Sequence, residues 1–120
     1  MKKSNYKTGH FAEKIALIQL LLKGYCPVAM NYVTGRGTGA SEVDLIVSKA
    51  ETLVFVEVKK RKNLITSAEA ITNISKQRLA RAAEAFIQKN PKYATYQIRF
   101  DAILFDQGFW PHHIKDAWRL

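Results

Sequence analysis

Asp44, Glu57 and Lys59 are the residues of this chain best suited to chemistry. Asp44 stands between Val43 and Leu45-Ile46-Val47, and Glu57 between Val56 and Val58. A carboxylate in such apolar surroundings is costly unless a metal ion, a cation or several donors receive it. Side chains alternate along a strand, so Glu57 and Lys59 share a face, with α-carbons about 6.7 Å apart. If the strands that carry Asp44 and Glu57 pair, two carboxylates and an ammonium converge at the end of a hairpin. Phosphodiester hydrolysis requires such a group. Mg²⁺ prefers oxygen ligands and keeps several waters. It polarises the phosphate and lowers the pKa of a bound water. A nearby lysine orients the attacking water and offsets charge in the transition state. Mn²⁺ is the alternative ion. Taken alone, Glu57-x-Lys59 reads more simply as a same-face ion pair on an exposed strand. Asp44, in a neighbouring apolar strand, turns the reading toward chemistry.

Glu13 is the third acidic candidate. It shares a helical face with Leu17 and Leu20, at i, i+4 and i+7. It can aim at the sheet edge where the other acids gather, and it can equally favour the helix dipole from the first turn. Lys76 opens an apolar stripe on a second helix, with Gln77 beside it. Lys59-Lys60-Arg61-Lys62 is a run of four positive residues, and Arg36 sits in the glycine loop Thr34-Gly35-Arg36-Gly37-Thr38-Gly39. These cations suit backbone phosphates. Other candidates are weaker. His112 and His113 would point to opposite faces of a strand, which makes them poor partners for one metal. Cys26 reads as a small buried apolar residue. Tyr6, Tyr32, Phe109 and Trp110 can stack on bases but read first as packing. Arg99-x-Asp101 falls on one strand face as an ion pair.

The elements that must position these residues are legible. Thr8 to Lys23 is helical, with Phe11, Ile15, Ile18 and Leu22 spaced as a buried face. Gly24 stops it. Tyr25–Val33 reads as a strand with Pro27 at its start or on an edge. Glu42–Ser48 and Thr52–Arg61 read as strands joined by a turn at Lys49-Ala50-Glu51, an antiparallel hairpin. Thr66-x-x-Glu69 is a capping-box signal. A helix is expected from there to Lys89, jogged near Thr72-Asn73, with Lys76, Leu79, Ala83, Phe86 and Ile87 on one stripe. Pro91 lies beyond its end. Thr95–Phe105 is a strand with Tyr96, Ile98, Phe100, Ala102 and Leu104 on one side. The tail from Trp110 reads as a short strand and a helical turn. The order α-β-β-β-α-β predicts an α/β fold, a mixed central sheet flanked by helices.

Composition bounds the rest. The chain has 120 residues and a formal net charge of +9, from 19 Lys and Arg against 10 Asp and Glu. That length predicts one domain, residues 1–120, with a flexible basic stretch over 1–7. The 48% hydrophobic content excludes a disordered chain. No apolar run approaches the roughly 20 residues of a membrane span. The opening residues lack the apolar run of a signal peptide, so a cytoplasmic location is expected. One cysteine excludes an intramolecular disulfide and a Cys-cluster zinc site. The positive excess suits a polyanionic partner, a nucleic acid first and an anionic membrane surface second, and equally a soluble protein that happens to be basic.

The motifs resemble the PD-(D/E)XK nuclease superfamily, which has the restriction-endonuclease-like fold. More closely, the chain is similar to a small bacterial branch of endonuclease-like proteins, distantly related to archaeal Holliday junction resolvases. The segments that carry the resemblance span nearly the whole chain. They are Gly9-x-x-x-Glu13-x-x-Ala16, Gly24-Tyr25, Asn31-Tyr32, Glu42-Val43-Asp44-Leu45-Ile46, Val54-Phe55-Val56-Glu57-Val58-Lys59-x-Arg61, Lys76 and Arg99-Phe100-Asp101. The chain departs from the pattern at Ser41 and Ala12, where glycine is usual. The resemblance implies Asp44 and Glu57 as metal ligands and Lys59 as the catalytic lysine. It implies a supporting role for Glu13 through metal-bound water, and contact of Lys76 and Gln77 with substrate. The resemblance implies a Mg²⁺-dependent endonuclease acting on DNA, with branched DNA, repair or recombination, and a homodimer in view. The alternative is a nucleic-acid-binding module with the nuclease fold and little or no cleavage.

Overall fold

The computed structural model describes residues 2–34, 41–60, 73–105 and 110–118. The elements are α1 (Lys2–Leu22), β1 (Cys26–Thr34), β2 (Ser41–Lys49), β3 (Thr52–Lys60), α2 (Asn73–Lys89), a 3₁₀ turn (Pro91–Tyr93), β4 (Gln97–Phe105) and β5 (His112–Ile114). The strands form one five-stranded sheet in sequence order. β3 and β4 are parallel; the other neighbours are antiparallel. A parallel pair needs a crossover, and α2 supplies it. The fold is therefore mixed α/β, with the expected element order plus a short fifth strand. The expected Thr66-x-x-Glu69 helix start lies outside the described residues.

Sheet alternation sorts the core into two layers. Leu45, Val47, Val54, Val56 and Ile103 pack on the α1 side. Ile46, Leu53, Phe55, Ala102 and Leu104 pack on the α2 side, against Leu79, Ala83 and Phe86. The α2 stripe is thus the expected one. α1 is not. Phe11, Ile18 and Leu22 are exposed, Ile15 is only partly covered, and Ala12, Ala16 and Leu20 are buried instead. The sheet face beneath is already filled by branched side chains, so the helix presents its small residues to it. The helix also starts at Lys2 rather than Thr8.

Gly24 ends α1 as expected. Its φ is +94°, Tyr25 N–H donates to the Leu20 carbonyl and Gly24 N–H to that of Leu21. This Schellman arrangement satisfies carbonyls left open at the helix end. Tyr25 and Leu20 then pack in the same core. Cys26, expected buried, is exposed at the start of edge strand β1.

Two irregularities matter for the site. The β2–β3 ladder runs from Lys49–Thr52 only as far as Leu45–Val56. In the same place alternation slips: Val43 joins the α2-side core, although strict alternation would send it with Leu45. The strands therefore part at Asp44 and Glu57, while β3 stays paired to β4 through Lys60–Phe105.

Candidate active site

The divergence of β2 from β3 gathers the predicted residues. Asp44 is half-buried, and its Oδ2 accepts a hydrogen bond from Val58 N–H at 2.8 Å. The carboxylate thus takes the place of a β2 carbonyl after the ladder has ended. Glu57 is buried, and the Lys59 ammonium lies 3.1 Å from its Oε2. The expected same-face ion pair is present, and it is part of a larger group. Burial, then the charge of Glu57, then those of Glu13 and Glu42, push the Asp44 carboxyl up to about 8, against one Val58 N–H that lowers it. Glu13, half-buried on α1, therefore acts on this site from the other layer.

A carboxyl in this state holds a proton or seeks a cation. Among the described residues, no group of three or more His, Cys, Asp or Glu stands ready to enclose a metal. Asp44 and Glu57 together fit an ion that keeps several waters, as Mg²⁺ does, and do not make an all-protein cage.

The cations sit as follows. Lys60 is exposed at the end of β3. The carboxyl end of α2 leads through the 3₁₀ turn to Gln97, which pairs with Thr52 at the start of β3. The amino end of α2, with half-buried Lys76 and exposed Gln77, therefore lies toward the end of the sheet that carries Glu57 and Lys59. Arg36, Arg61 and Lys62 lie outside the described residues. Of the aromatics proposed for stacking, Tyr32 packs edge-on against Phe86, and Trp110 is about half exposed. A cavity of about 410 Å³ lies at the opposite end, between Thr52, Gln97, Arg99, Asp116 and Trp118, and is not lined by Asp44, Glu57 or Glu13.

A second buried carboxylate shows what distinguishes the first. Asp101 is fully buried. Arg99 donates to both its oxygens at 2.8 Å, His113 Nε2 lies 2.7 Å away, and Asp116 N–H donates at 2.9 Å. Burial alone would raise Asp101, but His113, Arg99 and the Asp116 N–H hold it below the ordinary range. Arg99 also donates to the Tyr25 hydroxyl at 2.6 Å. With Asp101 ionised, His113 Nε2 carries the proton and Nδ1 accepts from Lys23 Nζ, 3.0 Å away. This cluster ties the exit of α1 to β4 and β5, as does Gln19, which donates to the Pro111 carbonyl at 2.9 Å. The expected Arg99–Asp101 pair is its centre. Its other members were not anticipated. Asp101 could have been singled out by the signal used for Asp44, an acid inside an apolar strand. His113 and Lys23 carry no such signal, because their neighbours are brought from across the sheet.

Fold and site define a small mixed α/β protein with an acidic, lysine-flanked group where two strands part. Residues 12–105 match the model of the uncharacterised protein family UPF0102, and the chain belongs to that family. It is 42% identical over 114 residues to the UPF0102 protein amb4503 of Paramagnetospirillum magneticum, covering 95% of this chain and 88% of that protein. It is 37% identical over 119 residues to a UPF0102 protein of Methylobacterium nodulans, covering 99% and 89%. A UPF0102 protein of Parvibaculum lavamentivorans is 40% identical over 114 residues, covering 95% and 83%.

Proposed function

We propose that this protein is a metal-dependent endonuclease with the restriction-endonuclease-like fold, hydrolysing phosphodiester bonds in DNA, with branched DNA among its candidate substrates. The observation that carries this reading is the meeting of Asp44, Glu57 and Lys59 where β2 and β3 separate. Asp44 and Glu57 would hold Mg²⁺, or Mn²⁺ in its place. A bound divalent cation polarises the phosphate and supplies a stronger water nucleophile.

The chain's own groups do the rest. The Val58 N–H fixes Asp44. Lys59, held against Glu57, would offset charge on the phosphate and orient a water. Glu13 adds a carboxylate from α1 that can accept a hydrogen bond from such a water. Lys60, Lys76 and Gln77, with Arg36, Arg61 and Lys62, are assigned to the DNA backbone. The net charge of +9 draws the polyanion in. A cytoplasmic setting and a role in repair or recombination accompany this reading.

The test is cleavage of a labelled panel of four-way junction, flap, single-stranded and linear duplex DNA with Mg²⁺, Mn²⁺ or EDTA. Metal-dependent cutting is expected, and Asp44→Ala, Glu57→Ala and Lys59→Ala should each lower it by at least about 100-fold. Folding should survive all three. Binding without cutting on every substrate, in every metal, would replace the endonuclease with a nucleic-acid-binding module.

A further inference from the structure

The exposed apolar residues of α1 are not scattered. Exposed Phe11, Ile18 and Leu22, with Ile15 half-buried against the helix's own core, recur at intervals of four, three and four. That is the d-a-d-a spacing of a coiled-coil seam. Phe11 is 63% exposed, Ile18 51% and Leu22 75%. Glu13 and Leu20 fall at the f positions opposite this seam, and they face the protein's own interior. The helix is therefore two-faced, with Ala12, Ala16 and Leu20 toward its sheet and Phe11, Ile18 and Leu22 toward solvent.

We propose that this seam docks on the same seam of a second copy of the chain, the two α1 helices crossing antiparallel about a two-fold axis. The spacing 4-3-4 reads the same in both directions. Antiparallel pairing places Phe11 against Leu22 of the other copy and Ile15 against Ile18. A self-complementary patch is what a two-fold interface requires. Lys14, exposed beside the seam, then falls near Leu21 of the other copy, which is 43% exposed. Its methylene stem can cover that leucine, so no lysine is forced against a lysine.

The area also suits a second copy. Phe11, Ile18, Leu21 and Leu22 leave on the order of 400 Å² of apolar surface, most of the apolar part of one side of a standard interface. The seam itself contains no cation, so it offers nothing to a phosphate.

Sedimentation of the full chain from low to high micromolar concentration, without DNA, tests this independently of any cleavage. The expected result is a monomer–dimer equilibrium that holds or tightens at high salt, because the contact is apolar and each copy carries +9. Ile18→Glu and Phe11→Glu should each weaken association by at least about tenfold. Both sites are exposed, so circular dichroism should show an unchanged fold. A native chain that stays monomeric at every concentration would overturn the proposal. So would a dimer that survives both substitutions, or one that dissolves in high salt.

Discussion

Of Asp44 and Asp101, Asp44 is the less compensated carboxyl. Burial and the neighbouring Glu57 raise its carboxyl to about 8, and only the Val58 N–H acts the other way. In the unfolded chain the same group ionises near 3.8. Between these values the native state binds the extra proton, so the stabilisation is complete below the lower value and is lost as pH rises through about 8. Without metal, the melting temperature should therefore fall from pH 5 to pH 9, and Asp44→Asn should remove part of that fall. A melting series of both proteins checks it; parallel curves would refute the assignment. Mg²⁺ at high pH should raise the melting temperature of the native protein and leave that of Asp44→Asn nearly unchanged. Lys59 belongs to the same scale. Its ion pair with Glu57 is two residues of strand geometry, and its value lies in where the strand end delivers it.

At the scale of elements, what stands beyond the end of each ladder separates the two carboxylates. β3 is held by β4 along its length but leaves β2 after Leu45–Val56, and Asp44 receives the Val58 N–H there. Asp101 sits where β4 is paired to β3, one residue before its ladder with β5 begins, and its partners come from β4, β5 and the following turn. Breaking such a buried cluster by removing one member leaves charges without partners. Asp101→Ala should cost about 3–5 kcal/mol in chemical denaturation, while Glu57→Ala should cost far less and, on the proposed function, remove cleavage instead. Acid should have the related effect on the native protein. The stabilisation from Asp101 is present above the ordinary carboxylate value and fades as pH falls through its lowered one. On the proposed function, Lys60, exposed at the end of β3, is one of the cations that would meet phosphate. Lys60→Ala should lower the salt slope of DNA binding by about one and leave the cleavage step intact, read from binding titrations at several salt concentrations.

For the whole molecule, the sheet divides labour between its ends and its faces. The acids gather at the carboxyl end of β3, and the Arg99 cavity lies at the other. α2 crosses one face and delivers Lys76 and Gln77 toward the acid end. α1 covers the other face and turns its large apolar side chains outward. The same helix sets Glu13 on the acid group, so site and proposed seam are opposite sides of one rod. No helix among the described residues is long and apolar enough to cross a membrane.

Element type and order were legible because alternation and helical periodicity are local. β2, β3, α2 and β4 follow directly from their apolar patterns, and Asp44 and Glu57 stood out because a carboxylate in a buried strand is locally anomalous. The sense of the α1 face was not legible. Its large stripe and its Ala12–Ala16 stripe both have helical spacing, and only the filled sheet beneath chose the smaller one. The partners of Asp101 were equally hidden, since Tyr25 and His113 reach the Arg99–Asp101 pair from distant parts of the chain. Nor does any window of sequence reveal that the β2–β3 ladder stops beside Asp44. The sequence by itself determined the strands, the helices and the acids inside them. The tertiary structure alone decided which acid is compensated and which is left with a raised carboxyl, because compensation depends on neighbours that only folding brings within hydrogen-bond reach.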